Sequence, residues 1–286
     1  MGASGREVAH ELTAAERPAR TVGIERRLHW TLRVAAAACF IGHGAFGIIT
    51  KPEWLPFFGV VGIPRDAAFA LMPVVGAVDI AVGLSVLFSP RPAVLLYMAV
   101  WAIWTASLRP LSGDTVWEVL ERSGNYGVPL AFLLLAGRRS SWRTWLAPIQ
   151  IERVRPYRLF RVARVLSWTT ALLLVGHGAL GALEGKALLA RHYAAVGLPP
   201  IALPIVGWTE LALAALVLLK PSAPLLLSVA VWKVGTELLF PVAGAPVWEF
   251  IERAGSYAAP FALAMLVTHL RPANLEREHS LAGGIA

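Results

Sequence analysis

Two stretches of the chain, WEVLERSGNYGVP (117–129) and WEFIERAGSYAAP (248–260), each place two glutamates and an arginine at the mouth of an apolar segment. On a helix, Glu118, Glu121, Arg122 and Asn125 stand at i, i+3, i+4 and i+7 and form one polar stripe. Glu249, Glu252, Arg253 and Ser256 form the same stripe in the second stretch, and Tyr126 and Tyr257 follow them. Carboxylates beside a guanidinium can clasp helices by ion pairing, hold the polar part of a ligand, or exchange protons. Beyond Tyr126 only about 10 apolar residues remain before Gly137 and Arg138, roughly half a bilayer at 1.5 Å per residue. A span therefore has to carry the charged stripe into the membrane, where it must face a bundle interior or a wet cavity.

Other polar residues fall at compatible depths. His43 and His177 sit in GHG motifs near the end of a first helix, and Asp79 and Glu210 sit near the middle of a second. Lys233 and Glu237 stand at i, i+4 on a third helix where the first half has Ala102 and Ala106, so the two halves differ in polarity. Buried membrane charges point to a ligand, proton or cofactor site, but a structural clasp would use the same residues. The GHG glycines could serve close helix packing, with each histidine bonded to a neighbour. A haem between His43 and His177 is disfavoured, because haem-binding bundles generally supply more histidines. Trp101, Trp104 and Trp232 lie deep enough to line a pocket, although packing is their ordinary role.

These residues sit in a chain of 286 residues that is 57% hydrophobic and 15% charged, with a mean hydropathy of +0.61. Soluble domains carry roughly 25% charged residues. The apolar blocks are long enough to cross a bilayer, which makes lipid the expected partner. The net charge of +8 does not indicate nucleic acid. Its arginines cluster in the tails and a middle linker, as cytoplasmic segments of a bacterial inner-membrane protein do, which places both termini in the cytoplasm. Cys39 is the sole cysteine, so an intramolecular disulfide is impossible and Cys-based metal sites are not expected. The first apolar run begins beyond residue 30 and does not read as a cleaved signal peptide. No Gly-rich phosphate loop, HExxH or serine-hydrolase elbow is present.

The chain also repeats itself. CFIGHGAFG (39–47) returns as LVGHGALG (174–181), FGVVGIP (58–64) as YAAVGLP (193–199), and PVVGAVD (73–79) as PIVGWTE (204–210). This predicts an all-α polytopic membrane protein with eight transmembrane helices in two parallel four-helix repeats. The divisions are a polar tail (1–28), a first repeat (29–137), a basic amphipathic linker (138–161), a second repeat (162–270) and a tail (271–286). Helices are expected at about 30–50, 65–88, 92–110 and 114–136, then at about 163–183, 200–219, 223–241 and 246–269, with a polar pocket in each repeat.

The run VGLPPIALPIVGWTELALAALVLL (196–219) has a Gly-Leu-Pro start, a glycine shortly before a mid-helix glutamate, and a Leu-rich tail. It is similar to the second helix of DoxX-like membrane proteins, and VGIPRDAAFALMPVVGAVDIAVGLSVLF (61–88) looks like the same element with Asp79 as its acid. DoxX-like proteins are usually single four-helix units, and WExxERxGxY is not part of their common pattern. The resemblance implies four-helix units and, for some members, a subunit of a quinone-linked system such as thiosulfate:quinone oxidoreductase, with a redox partner protein. It carries over the positions of Asp79 and Glu210, and no catalytic role. The expected function is a quinone-associated redox subunit. A proton- or cation-coupled carrier and a ligand-free scaffold remain the alternatives, and parallel repeats without obviously broken helices at the midplane weigh against the carrier.

Overall fold

Proline and glycine punctuate the apolar runs, and helices form between them. The computed structural model describes residues 23–137 and 140–270, and no strand occurs among the described residues. The first half contains α1 (Gly23–Ile48), a 3-10 turn (Pro52–Trp54), α2 (Leu55–Val60), α3 (Arg65–Phe88) and α4 (Pro92–Leu111). It ends in α5 (Trp117–Glu121) and α6 (Ser123–Ala136), and the linker holds α7 (Trp142–Leu146). The second half contains α8 (Pro156–Ala182), α9 (Ala187–Ala195), α10 (Ala202–Leu219), α11 (Ala223–Val242), α12 (Trp248–Glu252) and α13 (Ala254–His269). Six of these helices, α1, α3, α4, α8, α10 and α11, are long and apolar enough to cross a membrane. Val74 and Val78 on α3, with Ile205 and Trp208 on α10, face outward, as side chains against lipid tails would.

Both first helices begin roughly two turns before their expected starts at 30 and 163. The extra turns carry exposed charges, which hid their apolar face from a reading of hydropathy. Leu28 and Leu32 in α1, with Leu159 and Val162 in α8, are buried nonetheless. Pro156 opens α8 at a position where its missing N–H costs nothing. The linker is docked as well as basic. Its Ile149 N–H donates to Pro90 O at 2.8 Å, and its Val154 N–H to a carboxylate oxygen of Glu25 at 3.2 Å. Residues 1–22 of the expected first tail, 138 and 139 of the linker, and the 271–286 tail lie outside the described residues.

The helices do not sort into two separate bundles. Helix α1 packs along α3, and α8 along α10. Glycines permit the contact: a Cβ on Gly44 would stand 2.5 Å from Gly76 O, and one on Gly178 would stand 2.7 Å from Gly207 O. Yet α1 also crosses α12 and α13 of the second half, while α8 crosses α5 and α6 of the first. At these crossings Gly42 presses on the Glu252 backbone and Gly176 on the Glu121 backbone. Gly124 and Gly255 meet each other between the two halves. Each first helix is therefore shared with the far half, and one apolar core runs through Leu32, Phe132, Leu166 and Leu263.

Candidate functional site

The polar stripes are not carried on single helices. The expected helices 114–136 and 246–269 break at Arg122 (φ −87°, ψ 10°) and Arg253 (φ −90°, ψ 14°). Pro129 and Pro260 lie too far along to cause this, since proline disturbs the residue four before it. The breaks fall beside Glu121 and Glu252, where the opposite first helix presses its glycine onto the chain. Tyr126 Oη donates across one break to Val119 O (3.2 Å), and Tyr257 Oη across the other to Phe250 O (3.3 Å). Two candidate ligand contacts thus serve as staples. The expectation of continuous helices over 114–136 and 246–269 is corrected at the same time.

Three of the four stripe carboxylates, Glu118, Glu121 and Glu249, find cations from the other half. Glu118 accepts from Lys186 of the second half and from Arg109 at 3.3 Å. Glu249 accepts from Lys51 of the first half, and Glu121 accepts from Arg253. Lys51, Arg109 and Lys186 were not among the residues expected at the site. The sign that could have found them was the surplus of acid among the first-half candidates, Asp79, Glu118 and Glu121 against the single arginine Arg122. The histidines meet the acids of the second helices. His43 Nδ1 lies 2.8 Å from Asp79 Oδ2, and His177 Nδ1 bonds Glu210.

In the second half the polar groups close on one another. Trp232 Nε1 donates to Glu210 at 3.0 Å, and Lys233 lies 3.5 Å from Glu210 and 3.1 Å from Glu237. Arg253 adds contacts to Glu237 (3.6 Å) and Glu249 (3.5 Å) and sits over the Phe240 ring at 4.1 Å. Lys233 and Glu237 are each 1% exposed. Beside them on α9, outside the spans, burial and the nearby Arg253 hold the His192 pKa below its ordinary value. Burial likewise raises the Tyr193 phenol.

The first half keeps a cavity of about 250 Å³ at the corresponding place. Trp54, Phe57, Phe58, Trp101 and Trp104 supply aromatic surface, and His43, Lys51, Arg109, Arg122, Asn125 and Glu252 supply the polar part. His43 stacks on Trp54 with ring centres 4.5 Å apart. Ala102 stands where the second half has Lys233, which leaves the room. Arg122 is poorly satisfied: among the described residues its nearest carboxylate is Glu121 at 3.9 Å, and its buried Nε has no acceptor. Trp101 Nε1 also lacks an acceptor among the described residues. Glu252 is 6% exposed, and among the described residues no cation reaches it within 4.0 Å. Of the sequence candidates, His43, Arg122, Asn125 and Glu252 line this chamber, and Asp79 stands behind His43. Glu118, Glu121 and Glu249 tie the halves together, while His177, Glu210, Lys233, Glu237 and Arg253 form the closed network. Among the described residues no group of three or more His, Cys, Asp or Glu side chains is arranged to hold a metal ion.

Comparison with protein-family models, curated proteins and solved structures finds no match to this chain.

Proposed function

We propose that this protein is a DoxX-like integral membrane protein of eight spans, arisen by duplication, whose first half binds the head group of a quinone. In this reading the broken pairs α5–α6 and α12–α13 are the fourth spans of the two repeats, and both termini lie in the cytoplasm of a bacterial inner membrane. The protein serves as the membrane subunit of an oxidoreductase, and its second half acts as a closed scaffold.

The observation that carries the reading is a set of unsatisfied donors beside aromatic walls. Among the described residues Arg122 Nε and the Trp101 indole N–H have no acceptor, and both side chains line the chamber. A quinone is a flat ring with acceptor oxygens, so it suits aromatic walls and spare donors. The volume fits one small ring and leaves the isoprenoid tail in lipid. His43, held through Nδ1 by Asp79, keeps its other ring nitrogen for proton exchange with a ligand oxygen. Purified protein in lipid nanodiscs should retain a quinone detectable by solvent extraction and mass spectrometry. Added short-chain ubiquinone should quench tryptophan fluorescence with saturation. If neither happens, the quinone reading fails.

The breaks at Arg122 and Arg253 favour a second reading, a proton-coupled carrier, because broken helices accompany substrate sites in transporters. Ligand-dependent proton movement in proteoliposomes would select it.

A further inference from the structure

Arg122 and Glu252 are the counterparts, in the two near-copies, of Arg253 and Glu121. Arg253 closes onto Glu121, and the second pair would make the same bridge if the halves were equivalent. They do not: Arg122 and Glu252 lie beyond 4.0 Å of each other, and both line the chamber. The other partners that hold Arg253 are also missing around Arg122. Ala106 stands where Glu237 does, and Glu118 is drawn away to Lys186 and Arg109. Among the described residues the chamber thus opens between a guanidinium whose Nε lacks an acceptor and the carboxylate of buried Glu252, which lacks a donor. Leaving either group unmatched in a low-dielectric interior is costly, so the geometry calls for a group that is donor and acceptor at once.

A quinone carbonyl can satisfy only the arginine. A phenolic hydroxyl satisfies both, because its hydrogen donates to the carboxylate while its oxygen accepts from the guanidinium. Resting on the quinone reading above, we propose that the chamber selects the reduced, hydroquinone form, one hydroxyl bridging Glu252 and Arg122. The aromatic side chains enclose the ring in either redox form and do not discriminate, so the hydroxyl on Glu252 is the contact that Glu252→Gln tests.

One charge-assisted hydrogen bond corresponds to about an order of magnitude in affinity. The test is a fluorescence titration in nanodiscs with decyl-ubiquinol, kept reduced under anaerobic conditions, against decyl-ubiquinone. The wild-type protein should bind the quinol about 10-fold more tightly. Glu252→Gln should bring the two forms to similar affinity, because an amide offers both a donor and an acceptor. The dimethyl ether of the quinol, which has the same ring and no O–H, provides a check on unmodified protein and should bind no better than the quinone. Equal affinities for quinol and quinone in the wild type, or a preference for quinone, overturn the selectivity and leave the head-group site standing. Tight binding of the dimethyl ether overturns it as well. Binding of neither redox form removes the quinone reading itself, and the selectivity with it.

Discussion

The two halves hold matching charged stretches in opposite conditions. In the second half Arg253 touches three carboxylates, and Lys233 lies between Glu210 and Glu237. In the first half alanines replace Lys233 and Glu237, and Arg122 and Glu252 border a cavity. The acid–histidine pair survives on both sides, exposed to the chamber at His43 and sealed at His177. The difference shows that the stripe alone does not make a site. A few side chains on the neighbouring third helix decide whether the same charges clasp helices or face open space.

The strongest way to break the comparison is to remove each arginine in turn. Arg253→Ala takes the close cation from buried Glu121 and one of two cations from Glu237 and Glu249, and should cost about 3–5 kcal/mol, the range for breaking a buried pair. Arg122→Ala, with one distant partner, should cost much less. Thermal unfolding in detergent should therefore separate the two variants widely, and equal losses would erase the distinction between clasp and chamber. A second experiment converts one half into the other. Ala102→Lys combined with Ala106→Glu should fill the first chamber and abolish ubiquinone quenching, with the protein still folded by size-exclusion chromatography. Retained quenching would place the ligand elsewhere.

Smaller effects sharpen the picture. Tyr126→Phe and Tyr257→Phe each remove one hydrogen bond across a break and should each lower stability by about 1 kcal/mol. If only Tyr126→Phe also weakened ligand binding, that tyrosine would belong to the site as well as to the staple. The smallest effect concerns His192, whose pKa is lowered by burial in the folded protein. As pH falls through the ordinary histidine value of about 6.5, the unfolded chain takes up the proton first. Stability should therefore decline on acidification in that window. His192→Phe, which keeps a ring against Phe240, should flatten that part of the pH–stability curve. An unchanged curve would mean that His192 does not titrate between folded and unfolded states.

Much of this arrangement was legible in the residues. The stripe had to lie inside the bundle because too few apolar residues follow Tyr126, and Glu118, Glu121, Glu249 and Glu252 are all buried. The helix order also followed from Pro and Gly placement. The exchange between halves did not, because a repeated motif has the same local pattern whether it pairs with its own copy or with the other. Lys51 and Lys186 looked like ordinary loop charges for that reason. The breaks at Arg122 and Arg253 were hidden too, since they accompany a crossing helix and no helix-breaking residue marks them.

The shared first helices bear on how the chain is made. Helix α1 leaves the ribosome well before α12 and α13, against which it packs. Until they arrive, Gly42 has no backbone to press against and Lys51 has no carboxylate. The early helices must wait in the bilayer as a loosely paired set, open to quality-control proteases. A chain cut in the linker should yield fragments that are degraded singly and rescued only when expressed together.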